Sequence, residues 1–183
     1  MTRRGTVVTR ETRETTIRIE IERGAGEVRA VTGEPFLDHM LVTLGRYAGL
    51  DLAVEARGDL RHHLIEDVAI AVGSGLAAIT PSACARYGDR VVPMDEALVH
   101  VAIDLGGRPY YAGRLPSSLY DHWFRSFADN ARATVHVRVL RGRDRHHIVE
   151  AAFKALGLAL RQALAEGGEV FSTKGSVATQ VAP

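Results

Sequence analysis

Apolar and polar residues alternate in several stretches of the chain, and in others apolar residues recur every three to four positions. Alternation, like a short apolar run rich in β-branched residues, predicts β-strands over residues 15–22, 52–55, 97–105 and 135–139. The helical spacing is clearest after "RHHLIED", from Arg61, and after "RHHIVEA", from Arg145. Each of these segments predicts a helix that buries one apolar stripe against a sheet.

The two helical segments are parts of a longer internal repeat. Asp38 and His39 in the first half correspond to Asp121 and His122 in the second, and both halves follow the order strands, helix, strand, helix. Because self-similarity decides an architecture before local patterns do, the repeat predicts an α+β fold with a duplicated ββαβα-type half. The two mostly antiparallel sheets are expected to be covered by helices on one side.

Composition and charge restrict the class of protein. A chain of 183 residues, 46% of them hydrophobic, predicts a single domain of two fused halves, approximately 6–86 and 90–175. The net charge is +1 with acids and bases interspersed, so we expect no nucleic-acid or membrane partner. Cys84 is the only cysteine, which excludes an intramolecular disulfide and suits a reducing compartment. With no signal-peptide pattern and no run long enough to span a bilayer, a cytoplasmic location is expected.

Histidines and glutamates at the helix starts are the candidate metal ligands. In each helix a histidine is followed four residues later by a glutamate, so both side chains lie on one face. The adjacent histidine, His63 or His147, projects about 100° further around the helix and suits a second ion better than the same one. With the histidine of each preceding helix, the repeat offers six imidazoles and two carboxylates: His39, His62, His63, Glu66, His122, His146, His147 and Glu150.

Divided between two ions, these ligands indicate a catalytic metal site. Three nitrogens and one oxygen leave two positions of an octahedral ion open for substrate or water. Imidazole and carboxylate without thiolate favour manganese, iron, cobalt or nickel, and Cys84 has no place in the pattern. Helix capping and surface charge could explain one His-His-x-x-Glu motif, but not its repetition with a third histidine. His100 and His136 lack a partner motif and are interpreted as ordinary strand positions.

Several motifs together resemble the imidazoleglycerol-phosphate dehydratases. They are "FLDHM", the two His-His-x-x-Glu helices, "VPMDEAL", "GRPY", "HHIVEAAFKAL" and "STKG", within about residues 10–175. The resemblance implies two four-stranded sheets in a fold like domain 2 of ribosomal protein S5. It also implies two divalent ions per active site, with manganese the expected metal, and trimers that build a 24-subunit assembly with active sites between subunits. Helix starts from the two halves of one chain need not then face each other.

The resemblance also assigns roles to individual residues. It gives the same eight metal ligands and makes Glu14, in "RETRET", the catalytic acid/base. Asp95 and Glu96 match a segment beside the site without a separate role. The residues implied to bind a substrate phosphate are Arg86, Arg108, Ser172 and Lys174. Guanidinium forks match phosphate oxygens, and "STKG" adds hydroxyls, backbone amides and an ammonium.

One departure from the family concerns the first histidine pair. Relatives usually have an aspartate immediately before it, at the end of a longer acidic stretch, whereas this chain has Arg61 there and a shorter run. An aspartate at that position could orient a ligand histidine. Its replacement leaves the ligands themselves intact but raises the question of what positions them.

The implied activity is the dehydration of imidazole glycerol phosphate to imidazole acetol phosphate in histidine biosynthesis. The proton to be removed is not acidic, so we hypothesise that two metals stabilise the ring as imidazolate, which expels the adjacent hydroxyl before Glu14 takes the proton. Three alternatives remain. A dinuclear metallohydrolase with these ligands would cleave phosphate esters, a non-catalytic metal-binding relative would bind metal without turnover, and a plain scaffold would need none of the histidines.

Overall fold

The described part of the chain, residues 5–167 of a computed structural model, contains eight strands and four helices. They form two copies of one βββαβα unit. The first copy consists of β1 (Thr6–Glu11), β2 (Thr15–Arg23), β3 (Val28–Val31), α1 (Pro35–Ala48), β4 (Leu50–Gly58) and α2 (Arg61–Ile79). The second consists of β5 (Tyr87–Met94), β6 (Ala97–Asp104), β7 (Tyr110–Ala112), α3 (Ser118–Ala131), β8 (Thr134–Arg141) and α4 (Arg145–Ala163).

Each copy builds one four-stranded sheet, and the strand order is the same in both. The orders are β1-β2-β4-β3 and β5-β6-β8-β7. Strands β3 and β7 run parallel to their neighbours, and the remaining pairs are antiparallel. The predicted α+β fold with two mostly antiparallel sheets is confirmed. The structure adds one short strand, β3 or β7, before the first helix of each copy.

The four helices form a layer between the two sheets. Alternate residues of β2 and β6 are buried under the helices, and the opposite face of each sheet is turned outward. Helices α1 and α2 pack on the first sheet and α3 and α4 pack on the second. Within the layer α1 contacts α4, and α2 contacts α3. Each helix therefore packs against a helix of the other copy, and one apolar core extends through both.

Helix α2 differs from the expectation that no segment is long and apolar enough to span a membrane. By length and composition it could cross a membrane, although the sequence had predicted no run of sufficient length. In the fold, 61% of its most apolar window is buried inside the protein, where it packs on β2 and α3. Its apolar character is therefore that of a core helix.

Two equivalent glycines bring the paired helices into close contact. A Cβ atom on Gly73 of α2 would lie 2.7 Å from the carbonyl oxygen of Phe127 in α3. A Cβ atom on Gly157 of α4 would lie 2.9 Å from the carbonyl oxygen of Leu44 in α1. Backbone atoms cannot move away as a flexible side chain can, so both crossings require glycine.

We expect Gly73→Ala and Gly157→Ala each to lower the free energy of unfolding by roughly 1–3 kcal/mol, because the added methyl overpacks a backbone contact. Urea unfolding followed by circular dichroism measures the change. Ser74→Ala, beside Gly73 on the same helix, removes an atom instead of adding one and is the control. Unfolding curves that coincide with the wild-type curve would contradict the close-packing explanation.

Candidate active site

The first cluster of candidate ligands lies where α1 and α4 begin. It combines His39 of α1 with His146 and Glu150 of α4, and one ligand atom of each lies within 4.8 Å of the others. Oε2 of Glu150 is 3.1 Å from Nε2 of His146 and 3.3 Å from Nε2 of His39. The carboxylate is buried while both imidazoles are about half exposed, so the cluster is open to solvent on the histidine side.

The second cluster is the repeat-related counterpart, where α2 and α3 begin. It combines His62 and Glu66 of α2 with His122 of α3. Oε2 of Glu66 is 3.4 Å from Nε2 of His62, and its Oε1 is 3.5 Å from Nε2 of His122. In both clusters, helix starts from the two halves of one chain do face each other, because each helix packs against one from the other half.

The remaining histidines, His63 and His147, point away from these clusters. Nδ1 of His63 is 3.0 Å from Oδ1 of Asp59, and Nδ1 of His147 is 2.7 Å from Oε2 of Glu96. A carboxylate on one ring nitrogen fixes the orientation of the ring and leaves the other nitrogen to bind a metal. Nδ1 contacts therefore orient both rings and leave Nε2 as the candidate ligand atom, which in His147 lies 3.6 Å from Oδ2 of Asp95.

Asp59 makes the orienting contact with a histidine that an aspartate at the position of Arg61 was expected to make. The carboxylate that positions a histidine lies two residues before Arg61 in the sequence, at Asp59. Nε of Arg61 instead donates a hydrogen bond of 2.7 Å to Oε2 of Glu34, the residue that precedes α1. Arg61 thus ties the start of α2 to the start of α1.

Glu96 makes the corresponding contact in the second half, but from the turn between β5 and β6, the equivalent of the turn that carries Glu14 in the first half. Its Oε1 accepts hydrogen bonds from the backbone N–H groups of Asp144 (2.8 Å) and Arg143 (3.1 Å). The Asp144 amide, followed by the His147 ring and the Arg143 amide, lowers the pKa of Glu96 to about 2. Glu96 therefore remains an anion and joins the loop before α4 to the ring of His147. Its role was not predictable from the sequence, because only the fold brings residues 96 and 147 together.

The two carboxylates also change how tightly the histidines hold a proton. The hydrogen bond to Asp59 raises the pKa of His63, and the hydrogen bond to Glu96 raises the pKa of His147, above the usual 6.5. The resulting stabilisation of the metal-free fold is complete below pH 6.5 and is lost as the pH rises through the raised values. A metal ion bound by these rings would have to displace the protons, so its binding would weaken over the same range as the pH falls.

The turn between β1 and β2 carries Glu14. Oγ1 of Thr12 accepts hydrogen bonds from the backbone N–H groups of Glu14 (3.1 Å) and Thr15 (2.9 Å). The hydroxyl of Thr15 donates to the buried carboxylate of Asp67, which also accepts from Nε of Arg10 at 2.9 Å. The backbone of the turn is thus anchored to α2, while the carboxylate of Glu14 is exposed 3.4 Å from Nδ1 of His63.

The arginines predicted to bind phosphate lie at the opposite end of the second sheet. Arg86 precedes β5 and Arg108 follows β6, whereas the turn between those strands carries Glu96. The eight residues of β5 span about 25 Å, and this distance separates Arg86 from the candidate metal ligands of its own chain, which lie near the other end of β5. Arg86 forms a two-point ion pair with Asp104, Nε to Oδ1 at 2.5 Å and Nη2 to Oδ2 at 3.1 Å.

The end of α4 leads to the same end of the molecule as Arg86. The backbone N–H of Arg86 donates to the carbonyl oxygen of Ala163, and Cys84 forms an isolated β-bridge with Glu166. The predicted phosphate ligands Ser172 and Lys174 lie outside the described residues. In the described part, the candidate metal ligands and the two arginines lie at opposite ends of the molecule.

The donor set of each cluster fits a divalent transition-metal ion. Two imidazole nitrogens and one carboxylate oxygen converge without a thiolate, a combination suited to manganese, iron, cobalt or nickel. The buried Cys84 lies near the far end of α4, away from both clusters. A further group, Glu14 with Asp59 and His63, places two carboxylates beside an oriented histidine.

Comparisons with known proteins agree on one family. Residues 32–160 match the family model described as imidazoleglycerol-phosphate dehydratase. A protein of that name from Pyrobaculum aerophilum is 49% identical over 182 residues, which cover 91% of this chain and 96% of the relative. A second, from Oleidesulfovibrio alaskensis, is 44% identical and covers 97% of this chain and 100% of the relative.

Two solved structures extend the agreement to the fold. The crystal structure of IGPD from Pyrococcus furiosus in complex with (S)-C348 superimposes with a TM-score of 0.86 at 40% identity, covering 93% of this chain and 100% of that one. The imidazoleglycerol-phosphate dehydratase structure from Staphylococcus aureus gives 0.82 at 34% identity, with coverages of 89% and 99%.

We expect Glu96→Gln to weaken Mn²⁺ binding about 10- to 100-fold near pH 8, because His147 loses the carboxylate that fixes its ring. Proton competition should also begin at a lower pH than in the wild type, since the pKa of His147 falls toward its usual value. Calorimetric titrations at several pH values measure both effects. Glu55→Gln, whose carboxylate pairs with exposed Arg29 at 3.4 Å, is the matched control, and equal affinities in the two variants would contradict the orienting role.

Proposed function

Because the chain belongs to the imidazoleglycerol-phosphate dehydratase family of hydro-lyases, we propose that it dehydrates imidazole glycerol phosphate to imidazole acetol phosphate. The reaction is a metal-dependent step of histidine biosynthesis and takes place in the cytoplasm. The observation that carries the proposal is the pair of repeat-related clusters, each of which brings two imidazoles and one carboxylate together.

The proposed site holds two divalent ions, most suitably manganese. Each cluster supplies two imidazoles and a carboxylate, and His63 or His147 of another subunit supplies the third imidazole. This assignment is supported by the orientation of both rings, whose Nδ1 atoms are held by Asp59 and Glu96. When bound, the ions stabilise the azole ring of the substrate as its anion, which makes loss of the neighbouring hydroxyl possible.

Glu14 is the proposed base. Water leaves as a hydroxyl from the carbon next to the ring and a proton from the following carbon, and the carboxylate of Glu14 accepts that proton. The resulting enol tautomerises to the ketone. In support, the turn that carries Glu14 is anchored through Thr15 and Asp67, whereas its carboxylate stays accessible to a ligand.

The phosphate is proposed to bind Arg86, Arg108, Ser172 and Lys174. Within one chain the arginines lie too far from the metal clusters for one small substrate to reach both. A complete site therefore takes its metal ligands from one subunit and its phosphate ligands from another, which supports self-association with sites between subunits. The proposed assembly is the trimer and the 24-subunit particle that the family resemblance implies. The ion pair with Asp104 fixes Arg86 in place and raises its pKa, so that it remains a cation.

The activity is tested by incubating the Mn²⁺-loaded protein with imidazole glycerol phosphate and measuring formation of the ketone. We expect Glu14→Gln to retain bound Mn²⁺ and to reduce kcat by about 10²- to 10⁴-fold. Glu11→Gln, an exposed carboxylate on the same hairpin, is the control and should retain wild-type kcat. Release of inorganic phosphate would indicate a hydrolase instead, and bound metal without any turnover would indicate a non-catalytic relative.

The shared site is tested by coexpressing Glu14→Gln with Arg108→Ala in equal amounts. If one site takes Glu14 and Arg108 from different subunits, random mixing leaves about a quarter of the sites intact and restores that fraction of wild-type activity. Each variant purified alone supplies the background rate. Mixed assemblies with no more than this background would place both residues of a site in one subunit.

A further inference from the structure

The two metal clusters, although related by the repeat, differ beside their glutamates. In α4 the residue four positions after Glu150 is Lys154, whereas in α2 the residue four positions after Glu66 is Ile70. Nζ of Lys154 lies 2.9 Å from Oε1 of Glu150, and both side chains are largely buried, with exposures of 20% and 9%. Lys154 also contacts Sδ of Met94 at 3.6 Å, which holds the ammonium in this position.

Lys154 makes the two glutamates differ in the carboxylate oxygens that are available to an ion. In the α1/α4 cluster Oε1 of Glu150 is occupied by Lys154, and both histidine nitrogens converge on Oε2 alone. In the α2/α3 cluster the two oxygens of Glu66 face one histidine each. Within residues 5–167 no lysine or arginine forms an ion pair with Glu66.

The difference is one of charge as well as geometry. The ammonium compensates the negative charge of Glu150 and repels a dication bound to the other oxygen, and limited exposure leaves this repulsion weakly screened. The arginines at the helix starts, Arg61 and Arg145, occur in both copies and do not distinguish the clusters.

We propose that the two metal sites bind their ions unequally and that Lys154 sets the difference. The α2/α3 cluster binds the tighter ion and the α1/α4 cluster the weaker one. The inference rests on the metal dependence proposed above. Glu150 neutralises less of the charge on the ion that is bound more weakly. That ion therefore attracts an incoming electron-pair donor more strongly.

Titration of the metal-free protein with Mn²⁺ tests the inference, with calorimetry for affinity and electron paramagnetic resonance for free ions. We expect two classes of site per chain whose dissociation constants differ by about tenfold or more. His39→Ala should abolish the weaker class and His122→Ala the tighter one. Lys154→Met should lower the dissociation constant of the weaker class and so reduce the difference between the two dissociation constants.

Ile70→Lys is the matched reciprocal variant, because it places an ammonium at the equivalent position beside Glu66, and it should weaken the tighter class. Two equal classes in the wild type, or a difference that Lys154→Met leaves unchanged, would overturn the inference while leaving the proposed reaction intact. Absence of Mn²⁺ binding altogether would overturn both. If circular dichroism shows that Lys154→Met is unfolded, Lys154→Gln and Ile70→Lys decide the question.

Discussion

The arrangement of the molecule depends on the packing of each helix against a helix from the other half. Two glycine contacts, at Gly73 and Gly157, let these helices approach closely enough to share one core. The same packing places the start of α1 beside that of α4, and the start of α2 beside that of α3. Side chains far apart in sequence, such as His39 and His146, become neighbours only because of this packing.

Much of the architecture was predictable because the repeat is visible in the sequence. Alternation in β2 is a strong signal, since the strand has one buried side. Helical spacing in α2 and α4 was also visible, although these helices bury most of their circumference because each packs on a sheet and on a helix of the other half. The resemblance implied the four-stranded sheets, but the pattern alone did not locate β1, β3, β5 or β7. Strands β3 and β7, of four and three residues, are too short to show a period. Within the metal site, the repeat indicated eight ligands but not their grouping, which is set by helix packing across the two halves.

The supporting residues were harder to predict than the ligands. Asp59, Asp67 and Glu96 are ordinary acids in sequence, and only the contacts made by the fold distinguish them from exposed ones. Arg61 interrupted the expected acidic run, yet Asp59 supplies the contact with His63 from an earlier position. An acidic residue at a different loop position can make the same contact, because several backbone positions lie within reach of one imidazole ring.

The packing of helices across the two halves has a consequence for the origin of the fold. Each copy places its own two helices on its own sheet, and both pack against helices of the other copy. A polypeptide of half this length would leave those helix surfaces uncovered, but two identical molecules could cover them in the same manner about a two-fold axis. The present chain has the form of such a symmetric homodimer with its subunits joined end to end, in which equivalent positions such as Lys154 and Ile70 carry different residues.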